Sequence, residues 1–448
     1  MSELPKDFSD KQVCVLGLGY VGLTLGVAMA RAGFSVHGLE VQEDVLKTLE
    51  KGSSHFWEKN LDSNLKQVIS KGNFTFSKSL NDSISASVYI VTVGTPLDLE
   101  RNARLDMIEN AAHQIADHMQ NGSLIILRST VRIGTSRNII TPILEATGKH
   151  FEIAVCPERT LEGQALEELN TLPQIIGAEN QDTLFRAGKI FNFLTPTILR
   201  VSSLETAEVV KLVDNTYRDV MFGFANEVAR ICDAVGISSN EVIKSGKLGY
   251  ERTNVSSPGP VGGPCLEKDP HILEESARLY GIDIDIAPAA RRVNERQPNE
   301  VVDFIKTTSQ NIDNFPQNPV ISLLGLAFKG RPETNDLRGT VAKSILDLIR
   351  KVFPDSTLQG FDAVVSNEDI KEFGLLPLEN LSDSFHNANI VIILNNHSIF
   401  SGMSLFEQSK HMAKDGFIYD LWSLFDFKDL QSLNGKSYYA LGSQYIQK

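Results

Sequence analysis

The stretch V-C-V-L-G-L-G-Y-V-G, residues 13–22, decides the fold of the N-terminal part of this 448-residue chain. A short apolar run leads into Gly17, Gly19 and Gly22, and helix-forming residues follow as far as Ala32. Glycines at this spacing allow a tight turn from strand to helix, a close approach of the backbone to a pyrophosphate, and close packing of helix on strand. The pattern therefore predicts the first strand, turn and helix of a dinucleotide-binding Rossmann domain.

The next apolar run, residues 34–39, predicts a second strand that ends at Glu40. In this fold a carboxylate at the end of the second strand accepts hydrogen bonds from both ribose hydroxyls and repels a 2′-phosphate. We therefore expect NAD as the cofactor in preference to NADP.

Three further apolar runs of strand character end in polar residues. Residues 88–93 run into G-T-P, residues 123–127 into R-S-T, and residues 153–155 into C-P-E. In an open parallel sheet the ligand lies beyond the carboxyl ends of the strands. Thr95, Thr130 and Glu158 are candidates on this ground, although a single threonine there can equally cap the following helix.

A cysteine, Cys265, lies at the end of a glycine-rich turn in the segment P-G-P-V-G-G-P-C-L-E-K-D, residues 258–269. A nicotinamide dehydrogenase that oxidises only an alcohol needs no thiolate. One that carries an alcohol to a carboxylic acid does, because addition of a thiol to the aldehyde makes a tetrahedral species that can donate a second hydride. We therefore predict that Cys265 is a nucleophile.

Composition limits the classes of partner and compartment. The formal net charge of −13 argues against binding to nucleic acid, whereas a local cluster of Lys and Arg can still hold a small anionic substrate. The four cysteines show the spacing of neither a disulfide framework nor a zinc site, which suggests a reducing compartment. No apolar stretch reaches the length of a membrane span and no signal peptide is visible, so we expect a soluble cytoplasmic enzyme.

Residues 205–235 predict one long helix, because they contain no proline and a single glycine, Gly223. Ser202 or Ser203 can cap its start, and Gly236 follows its end. About thirty helical residues span about 45 Å, which is long enough to join two domains. Apolar residues on more than one face also suit contact between subunits.

Lys211 and Asn215 lie four residues apart on this predicted helix and so share one face. Their surroundings are otherwise apolar, with Val210 and Leu212 adjacent to the lysine. The pair can be part of an active site, or a solvated lysine beside a polar neighbour.

The proline-rich stretch N-F-P-Q-N-P, residues 314–319, marks the start of a last domain. Strand signals return at 320–324, before Phe361 and at 390–394, with a helix at 341–353. This is a second sheet of nucleotide-binding type without a full glycine fingerprint. We predict an α/β chain of three domains: an NAD-binding Rossmann domain at 1–203, a central helical dimerisation domain at 204–313, and a Rossmann-like domain for the nucleotide of the substrate at 314–448.

Seven motifs in a fixed order resemble the UDP-glucose/GDP-mannose dehydrogenase family. They are G-L-G-Y-V-G (17–22), V-G-T-P (93–96), S-T-V (129–131), C-P-E-R-T-L-E-G (156–163), A-E-V-V-K-L-V-D-N (207–215), G-G-P-C-L-E-K-D (262–269) and G-L-A-F-K-G-R-P-E-T-N-D-L-R (325–338). The resemblance spans nearly the whole chain. It implies oxidation of the C6 hydroxyl of a nucleotide sugar to a carboxylate with two NAD, a catalytic cysteine, and a homodimer formed through the central helix.

The resemblance also implies roles for individual residues. Cys265 would form a thiohemiacetal and then a thioester, with Asp269 as its polar partner. Lys211 and Asn215 would stabilise the developing oxyanion. Glu158 and Thr130 would hold and activate the water that hydrolyses the thioester.

Two binding sets follow from the same resemblance, and neither includes a metal ligand. The cofactor set is Gly17, Gly19, Tyr20, Val21, Gly22, Glu40, Gly94, Thr95, Pro96, Ser129, Thr130, Glu162, Lys268 and Arg338. The substrate set is Arg159, Lys211, Asn215, Tyr250, Arg252, Gly262, Phe328 and Lys329.

The motifs differ in the sugar that they favour. The sequence C-P-E-R at residues 156–159, with Arg159, resembles that of members that act on UDP-N-acetylhexosamines, particularly UDP-N-acetylmannosamine. The guanidinium of Arg159 could hold the acetamido oxygen or the pyrophosphate of such a substrate. Glu162 and Lys268 are shared with glucose-type members, and Pro264 matches neither pattern well. We expect UDP-N-acetylmannosamine, in the synthesis of surface polysaccharide precursors, with UDP-glucose as the alternative.

Two other classes of protein remain open. A two-electron dehydrogenase of the hydroxyacid type shares the Rossmann domain and the long helix, but it needs neither Cys265 nor a second nucleotide domain. A catalytically silent sensor of nucleotide sugars would be expected to have lost Cys265, Lys211 or Glu158, and all three are present.

Overall fold

The computed structural model describes residues 4–5, 7–81, 86–425, 433 and 435–444. The chain divides into two compact units. Unit 1 comprises Met1–Asn215 and His271–Asp283, and unit 2 comprises Thr216–Pro270 and Ile284–Lys448. The division passes through two helices, α8 (Leu204–Val235) and α10 (Asp269–Leu279). The predicted three-domain boundaries stay a prediction.

Unit 1 is built on an eight-stranded sheet with the order β3-β2-β1-β4-β5-β6-β7-β8. All neighbouring pairs of these described strands are parallel except β6 and β7. The strands are β1 (Gln12–Leu16), β2 (Ser35–Leu39), β3 (Phe74–Ser77), β4 (Val88–Val91), β5 (Ser123–Leu127), β6 (Phe151–Val155), β7 (Gln174–Ala178) and β8 (Ile198–Val201). The strand order reverses between β1 and β4, which is where this kind of sheet binds its ligand.

Helices cover both faces of that sheet, so β4 and β5 are buried along their whole length and consist almost entirely of apolar residues. The helices are α1 (Tyr20–Ala32), α2 (Glu43–Glu50), α3 (Leu61–Ser70), α4 (Asp106–His118), a π-helical turn (Ser136–Ile140), α5 (Thr141–Glu145), α6 (Ala165–Glu168) and α7 (Gln181–Phe191). Every strand that the sequence predicted in this unit is present.

Unit 2 contains a second sheet, whose six described strands are all parallel, in the order β11-β10-β9-β12-β13-β14. The strands are β9 (Val320–Leu324), β10 (Thr357–Phe361), β11 (Leu376–Pro377), β12 (Ile390–Ile393), β13 (Phe417–Asp420) and β14 (Ser437–Ala440). The helices are α9 (Ser239–Lys247), α11 (Ile286–Gln310), α12 (Val341–Val352), α13 (Asn367–Glu372), a 3-10 turn (Leu381–Phe385), α14 (Ser398–Ser401) and α15 (Leu405–Ser409). Two Rossmann-type sheets separated in sequence by a long helix confirm the predicted α/β fold class.

The long helix α8 begins and ends as the sequence predicted. The Ser203 hydroxyl accepts from the backbone N–H of Thr206 at 3.1 Å, and Gly236 takes the left-handed φ of +74° just past the end. Its single glycine, Gly223, faces Ala290 of α11, where a Cβ would come within 2.9 Å of the alanine Cβ. Glycine is therefore required here by the close crossing of two helices in unit 2.

The chain after β14 returns to the end of α8. The Asp233 carboxylate accepts backbone N–H bonds from Gly442 at 3.1 Å and Gln444 at 2.8 Å, and the Ser239 N–H donates to the Gly442 carbonyl at 2.8 Å. Burial raises the pKa of Asp233 from 3.8 to about 6. A carboxylate therefore fixes a segment that lies 209 residues later in the sequence.

Among the described residues, every helix is too short or too polar to traverse a lipid bilayer.

Candidate active site

The three glycines of the β1–α1 turn serve three different purposes. Gly17 has a φ of +93°, which favours glycine. At Gly22 a Cβ would lie 1.9 Å from the Gly17 carbonyl oxygen and 2.5 Å from the Thr92 hydroxyl, so helix and strand could not pack as they do. At Gly19, the residue before α1, a Cβ would have no neighbouring heavy atom of the described residues within 4 Å. The turn thus leaves open space at a helix N-terminus, where a pyrophosphate fits.

Glu40 follows β2 and is buried beside this turn. Its Oε2 accepts from the Leu18 N–H and its Oε1 from the Gln42 N–H, both at 3.0 Å. Two backbone donors therefore fix the carboxylate next to the glycine turn. This arrangement fits the predicted role of Glu40 at the ribose of a dinucleotide.

The carboxyl ends of β4 and β5 are joined by side chains of the predicted cofactor set. The Thr95 hydroxyl donates to the Thr130 carbonyl at 2.6 Å, and the Ser129 hydroxyl donates to the Val93 carbonyl at 2.7 Å. Two of the three polar strand ends that the sequence indicated as candidates, those after β4 and β5, are therefore brought together.

Glu158, after β6, forms a buried ion pair with Arg128, which follows β5. Arg128 donates from Nε, at 2.9 Å, and from Nη2 to the same oxygen, Oε2. The other oxygen, Oε1, accepts the backbone N–H groups of Arg159 and Thr160, each at 2.7 Å. Arg128 also donates from Nη1 to the Gln174 side chain at 2.8 Å. Both oxygens of Glu158 are thus held in place.

These contacts set the charge of Glu158. Burial disfavours its charged form, but the positive charge of Arg128, the N–H of Thr160 and the positive charge of Lys211 outweigh burial and lower the pKa of the carboxyl below 4.5. Lys211 and Glu158 are therefore brought close enough to interact. Arg128 was not predicted from the sequence, although the R-S-T triplet after β5 places it directly before two predicted cofactor residues, Ser129 and Thr130.

Arg159, the predicted sugar contact, has two protein partners. Its Nη2 donates to the Pro173 carbonyl at 3.1 Å, and its Nη1 lies 3.5 Å from a carboxylate oxygen of Asp214 on α8. The side chain is 28% exposed, so it keeps access to solvent. Arg159 therefore links the loop after β6 to the helix that carries Lys211 and Asn215.

A second buried carboxylate, Glu58, also fixes this loop and was missed in the sequence. It accepts from the Tyr20 hydroxyl and from the backbone N–H groups of Gly163, at 2.8 Å, and Leu166, at 3.3 Å. Tyr20 belongs to the glycine turn, and Gly163 follows Glu162. The predicted cofactor residues Tyr20 and Glu162 therefore lie on two segments that Glu58 joins.

Unit 2 carries Cys265, which is exposed at the turn that leads into α10. Its carbonyl accepts the backbone N–H groups of Asp269, at 2.9 Å, and Lys268, at 3.2 Å. The Lys268 ammonium and the buried Asp269 carboxylate form an ion pair at 2.6 Å. Two of the three charged residues of the motif, Lys268 and Asp269, therefore pair with each other beside the thiol's own backbone.

The glycines before Cys265 pack against the segment that follows β9. The Gly263 N–H donates to the Gly339 carbonyl at 2.7 Å, and Gly263 has a φ of +95°. A Cβ on Gly263 would come within 2.5 Å of the Phe328 ring, and a Cβ on Gly262 within 2.3 Å of the Gly339 oxygen. The predicted substrate residues Gly262 and Phe328 are thus neighbours of the cysteine loop.

The remaining predicted residues of unit 2 are Tyr250 and three cations, two of which lie next to aromatic rings. Lys329 lies 5.4 Å from the centre of the Phe328 ring, and Arg252 lies 5.2 Å from that of Tyr250. Arg338 forms an ion pair with Asp336 at 2.5 Å. Rings next to cations suit a ligand with a flat base and phosphates.

The predicted site residues divide between the two units. Unit 1 holds the glycine turn, Glu40, Thr130, Glu158, Lys211 and Asn215, whereas unit 2 holds Cys265, Asp269, Tyr250, Arg252, Phe328 and Lys329.

Three models of one protein family match consecutive parts of this chain. The NAD binding domain of the UDP-glucose/GDP-mannose dehydrogenase family matches residues 11–195, its central domain 205–296, and its UDP binding domain 322–427. The chain belongs to this family. It is a nucleotide-sugar dehydrogenase, an NAD-dependent oxidoreductase, as the sequence motifs predicted.

Several members of the UDP-glucose/GDP-mannose dehydrogenase family are similar to this chain over most of their length. A UDP-N-acetyl-D-mannosamine dehydrogenase of Pyrococcus horikoshii is 30% identical over 401 residues, 85% of this chain and 94% of the relative. One from Methanocaldococcus jannaschii is 30% identical over 450 residues, 99% of each chain. The solved structure of a UDP-D-ManNAc dehydrogenase from P. horikoshii superposes with a TM-score of 0.86 at 28% identity, covering 96% of this chain and 99% of that one.

Proposed function

We propose that this enzyme oxidises the C6 hydroxyl of UDP-N-acetylmannosamine to a carboxylate in two successive oxidations. Relatives named UDP-N-acetyl-D-mannosamine dehydrogenase match 85–99% of the chain at about 30% identity. The sequence C-P-E-R at residues 156–159 also resembles that of members that act on UDP-N-acetylhexosamines. The main support for a four-electron reaction is the exposed cysteine Cys265, which lies in a glycine-rich loop that packs against Phe328, after β9.

NAD, when bound at the glycine turn, accepts a hydride in each oxidation. Lys211 and Asn215 stabilise negative charge on the reacting oxygen, Lys211 with its ammonium and Asn215 with its amide. The positive charge of Lys211 contributes to the lowered pKa of Glu158, which supports a common site for this ammonium and the carboxylate that orients the later water. The first oxidation yields an aldehyde and releases one proton from the C6 hydroxyl.

The Cys265 thiolate then adds to the aldehyde carbon, and the carbonyl oxygen becomes the oxygen of a thiohemiacetal. Loss of hydride and a proton from this adduct leaves a thioester on the sulfur. Water attacks the thioester carbon, the C–S bond breaks, and the thiol returns to its starting state. Overall, one alcohol, two NAD⁺ and one water give one carboxylate, two NADH and three protons.

Glu158 and Thr130 orient the hydrolytic water. Arg128 and two backbone N–H groups hold the Glu158 carboxylate ionised, which favours acceptance of a hydrogen bond from water. A carboxyl of lowered pKa is a weak base, so its chief contribution is to position the water and to stabilise the proton that leaves it.

Measuring NADH and uronic acid together tests this function. We expect two NADH per uronate and, among UDP-N-acetylmannosamine, UDP-N-acetylglucosamine, UDP-N-acetylgalactosamine, UDP-glucose and GDP-mannose, the highest kcat/KM for the first. Cys265→Ala should still bind NAD and sugar but form no uronate. A ratio of one NADH per sugar, with aldehyde accumulating, would contradict the four-electron reaction.

UDP-glucose is the second candidate, because Glu162 and Lys268 resemble glucose-type members. Glu162 lies beside Gly163, which Glu58 holds, and Lys268 pairs with Asp269. Neither contact involves a group that would distinguish an acetamido from a hydroxyl substituent. Wild-type enzyme that prefers UDP-glucose in the same panel would reverse the choice of sugar.

We also propose that the enzyme is a cytoplasmic homodimer that supplies precursors for surface polysaccharides. An exposed apolar stripe on α8 supports the dimer: Tyr217, Phe224, Ile231 and Val235 follow each other at intervals of seven, seven and four residues and are each 55–63% exposed. Side chains at this spacing lie along one side of a helix. A second copy of the same helix can cover such a stripe.

A further inference from the structure

Four polar side chains form a buried cluster between α8 and α11 in unit 2. Asp219 and Asn226 come from α8, and Arg291 and Asn294 come from α11. None of the four is more than 3% exposed. We call these four residues the buried polar cluster.

The members of the cluster bond to one another without a break. Arg291 Nη1 lies 2.9 Å from Asp219 Oδ1, and Asn294 Nδ2 donates to that same oxygen at 2.9 Å. Asn226 Nδ2 donates to Asn294 Oδ1 at 3.0 Å. The cluster therefore ties the two helices together beside the crossing at Gly223 and Ala290.

Two of the four side chains, those of Asn226 and Arg291, also bond to the backbone of the loop that carries Cys265. Asn226 accepts the Gly259 N–H at 3.0 Å and donates to the Gly259 carbonyl at 3.1 Å. Arg291 Nη1 donates to the carbonyl of Leu266, the residue after Cys265, at 2.7 Å. The cluster thus holds the loop six residues before the thiol and one residue after it.

Stability alone does not account for such a cluster. Buried ion pairs and amides lose much of their hydration, and well-packed apolar side chains often stabilise a fold equally well or better. Directed hydrogen bonds do what apolar contacts cannot, because they specify the position of the backbone groups that they reach. Here those groups belong to Gly259 and Leu266, on both sides of the thiol.

We propose that the buried polar cluster positions Cys265 for attack on the aldehyde, with Arg291 and Asn226 as positioning residues. This inference rests on the proposed function, in which Cys265 is the nucleophile of the second oxidation. The first oxidation moves a hydride from the alcohol without forming a bond to sulfur. Loss of the cluster should therefore impair the second oxidation far more than the first.

The double variant Asp219→Asn/Arg291→Met tests this without leaving a lone buried charge. It removes both charges of the ion pair together, keeps side chains of similar length, and deprives the Leu266 carbonyl of its donor. Ser322→Ala is a matched control in the same unit. The buried Ser322 hydroxyl bonds to Ser384 and Gln359 in the sheet of unit 2 and takes no part in the cluster.

Two reactions of the nucleotide-sugar aldehyde allow the first and the second oxidation to be measured separately. Its oxidation to uronate with NAD requires the thiol, whereas its reduction to the alcohol with NADH, the reverse of the first oxidation, does not. In the double variant we expect kcat for aldehyde oxidation to fall at least about tenfold, while kcat for reduction and both KM values stay within about threefold. Ser322→Ala should change both reactions by less than about twofold, even if it unfolds at a lower temperature.

Equal losses in both reactions, or no loss in either, would overturn the positioning role. If the double variant does not fold, Asn226→Ala removes both bonds to Gly259 and leaves the ion pair intact, and the same selective loss is expected. The proposed function fails separately: it is refuted if wild-type enzyme oxidises no nucleotide sugar beyond the aldehyde, or if Cys265→Ala still forms uronate.

Discussion

The pairing of Glu158 with Arg128 leads to a prediction about thioester hydrolysis. Replacing Glu158 by Gln removes the charge that orients the water but leaves Cys265 and its loop unchanged. We expect Glu158→Gln to acylate Cys265 and then stall, with uronate formation reduced about a hundredfold or more. Mass spectrometry of the protein after one turnover with NAD and UDP-sugar should find the sugar acyl adduct on the peptide that contains Cys265.

Arg128→Gln provides a comparison for this variant. Without the guanidinium, the pKa of Glu158 should rise, because burial then acts against a smaller positive charge. The low-pH limb of uronate formation should move to higher pH. An inactive Glu158→Gln that forms no adduct would instead show that Glu158 acts before the thioester exists.

Arg159 can bind the sugar, stabilise the protein through its contacts with Pro173 and Asp214, or do both. If it binds the acetamido group, loss of a charge-assisted hydrogen bond should cost about 1.5–3 kcal/mol, roughly ten- to a hundredfold in kcat/KM. We expect Arg159→Leu to show this loss with UDP-N-acetylmannosamine and to spare UDP-glucose. The same loss with both sugars would mean that Arg159 works through its contacts with Pro173 and Asp214.

At the level of elements, the two glycines that flank the start of α1 should respond differently to alanine. Gly22→Ala places a Cβ 1.9 Å from a backbone oxygen, so the turn must shift at a cost of about 1–3 kcal/mol or more. Gly19 has an ordinary φ of −65° and open space around its Cβ position, so Gly19→Ala should fold normally. The substitution should nevertheless weaken the binding of NAD, because the added methyl group would occupy space that the pyrophosphate requires.

Thermal unfolding and the KM for NAD measure the two effects separately. Gly22→Ala should lower the unfolding midpoint and impair NAD binding together. Gly19→Ala should raise the KM for NAD about tenfold with an unchanged midpoint. If the Gly19 variant also loses stability, the space beside the turn is needed by the protein rather than by the cofactor.

The sequence revealed elements whose signals are local. The strand at 123–127 and the end of α8 before Gly236 were predicted correctly, and Ser203 is one of the two serines predicted as the cap, because apolar runs and caps act over a few residues. It also named the polar strand ends Thr95 and Thr130, which the structure joins.

Residues that act through tertiary contacts could not be found in this way. Glu58 meets Gly163 only because the fold brings segments 105 residues apart together. Arg291, on α11, likewise reaches the Leu266 carbonyl in a turn 25 residues earlier in the sequence. In the sequence each is an ordinary charged residue, since burial is what makes its bonds specific.

At the scale of the whole molecule, the raised pKa of Asp233 should make the stability of the folded protein depend on pH. Its pKa is about 6 in the folded protein, above the ordinary 3.8, so the folded state binds the extra proton between these values. The stability that this group contributes is present below pH about 4 and is lost as the pH rises through about 6. The free energy of unfolding of Asp233→Asn, measured relative to that of wild type, should therefore increase by on the order of 1–3 kcal/mol as the pH is raised from 4 to 7.

Denaturant unfolding of both proteins at several pH values measures this difference. A constant difference between pH 4 and 7 would show that Asp233 does not titrate in the folded state within that window. Gln444→Ala is a suitable comparison, since it keeps the backbone N–H that Asp233 accepts and removes the side-chain bond to the Tyr419 hydroxyl.

The bond from Gly442 to Asp233 also has a consequence for synthesis on the ribosome. The two residues lie 209 positions apart, so at about 5–20 residues per second roughly 10–40 s pass between their additions to the nascent chain. During that interval the end of α8 exists without the segment that covers it. Any chaperone that engages the unfinished protein would find this helix end accessible until residue 442 has left the exit tunnel.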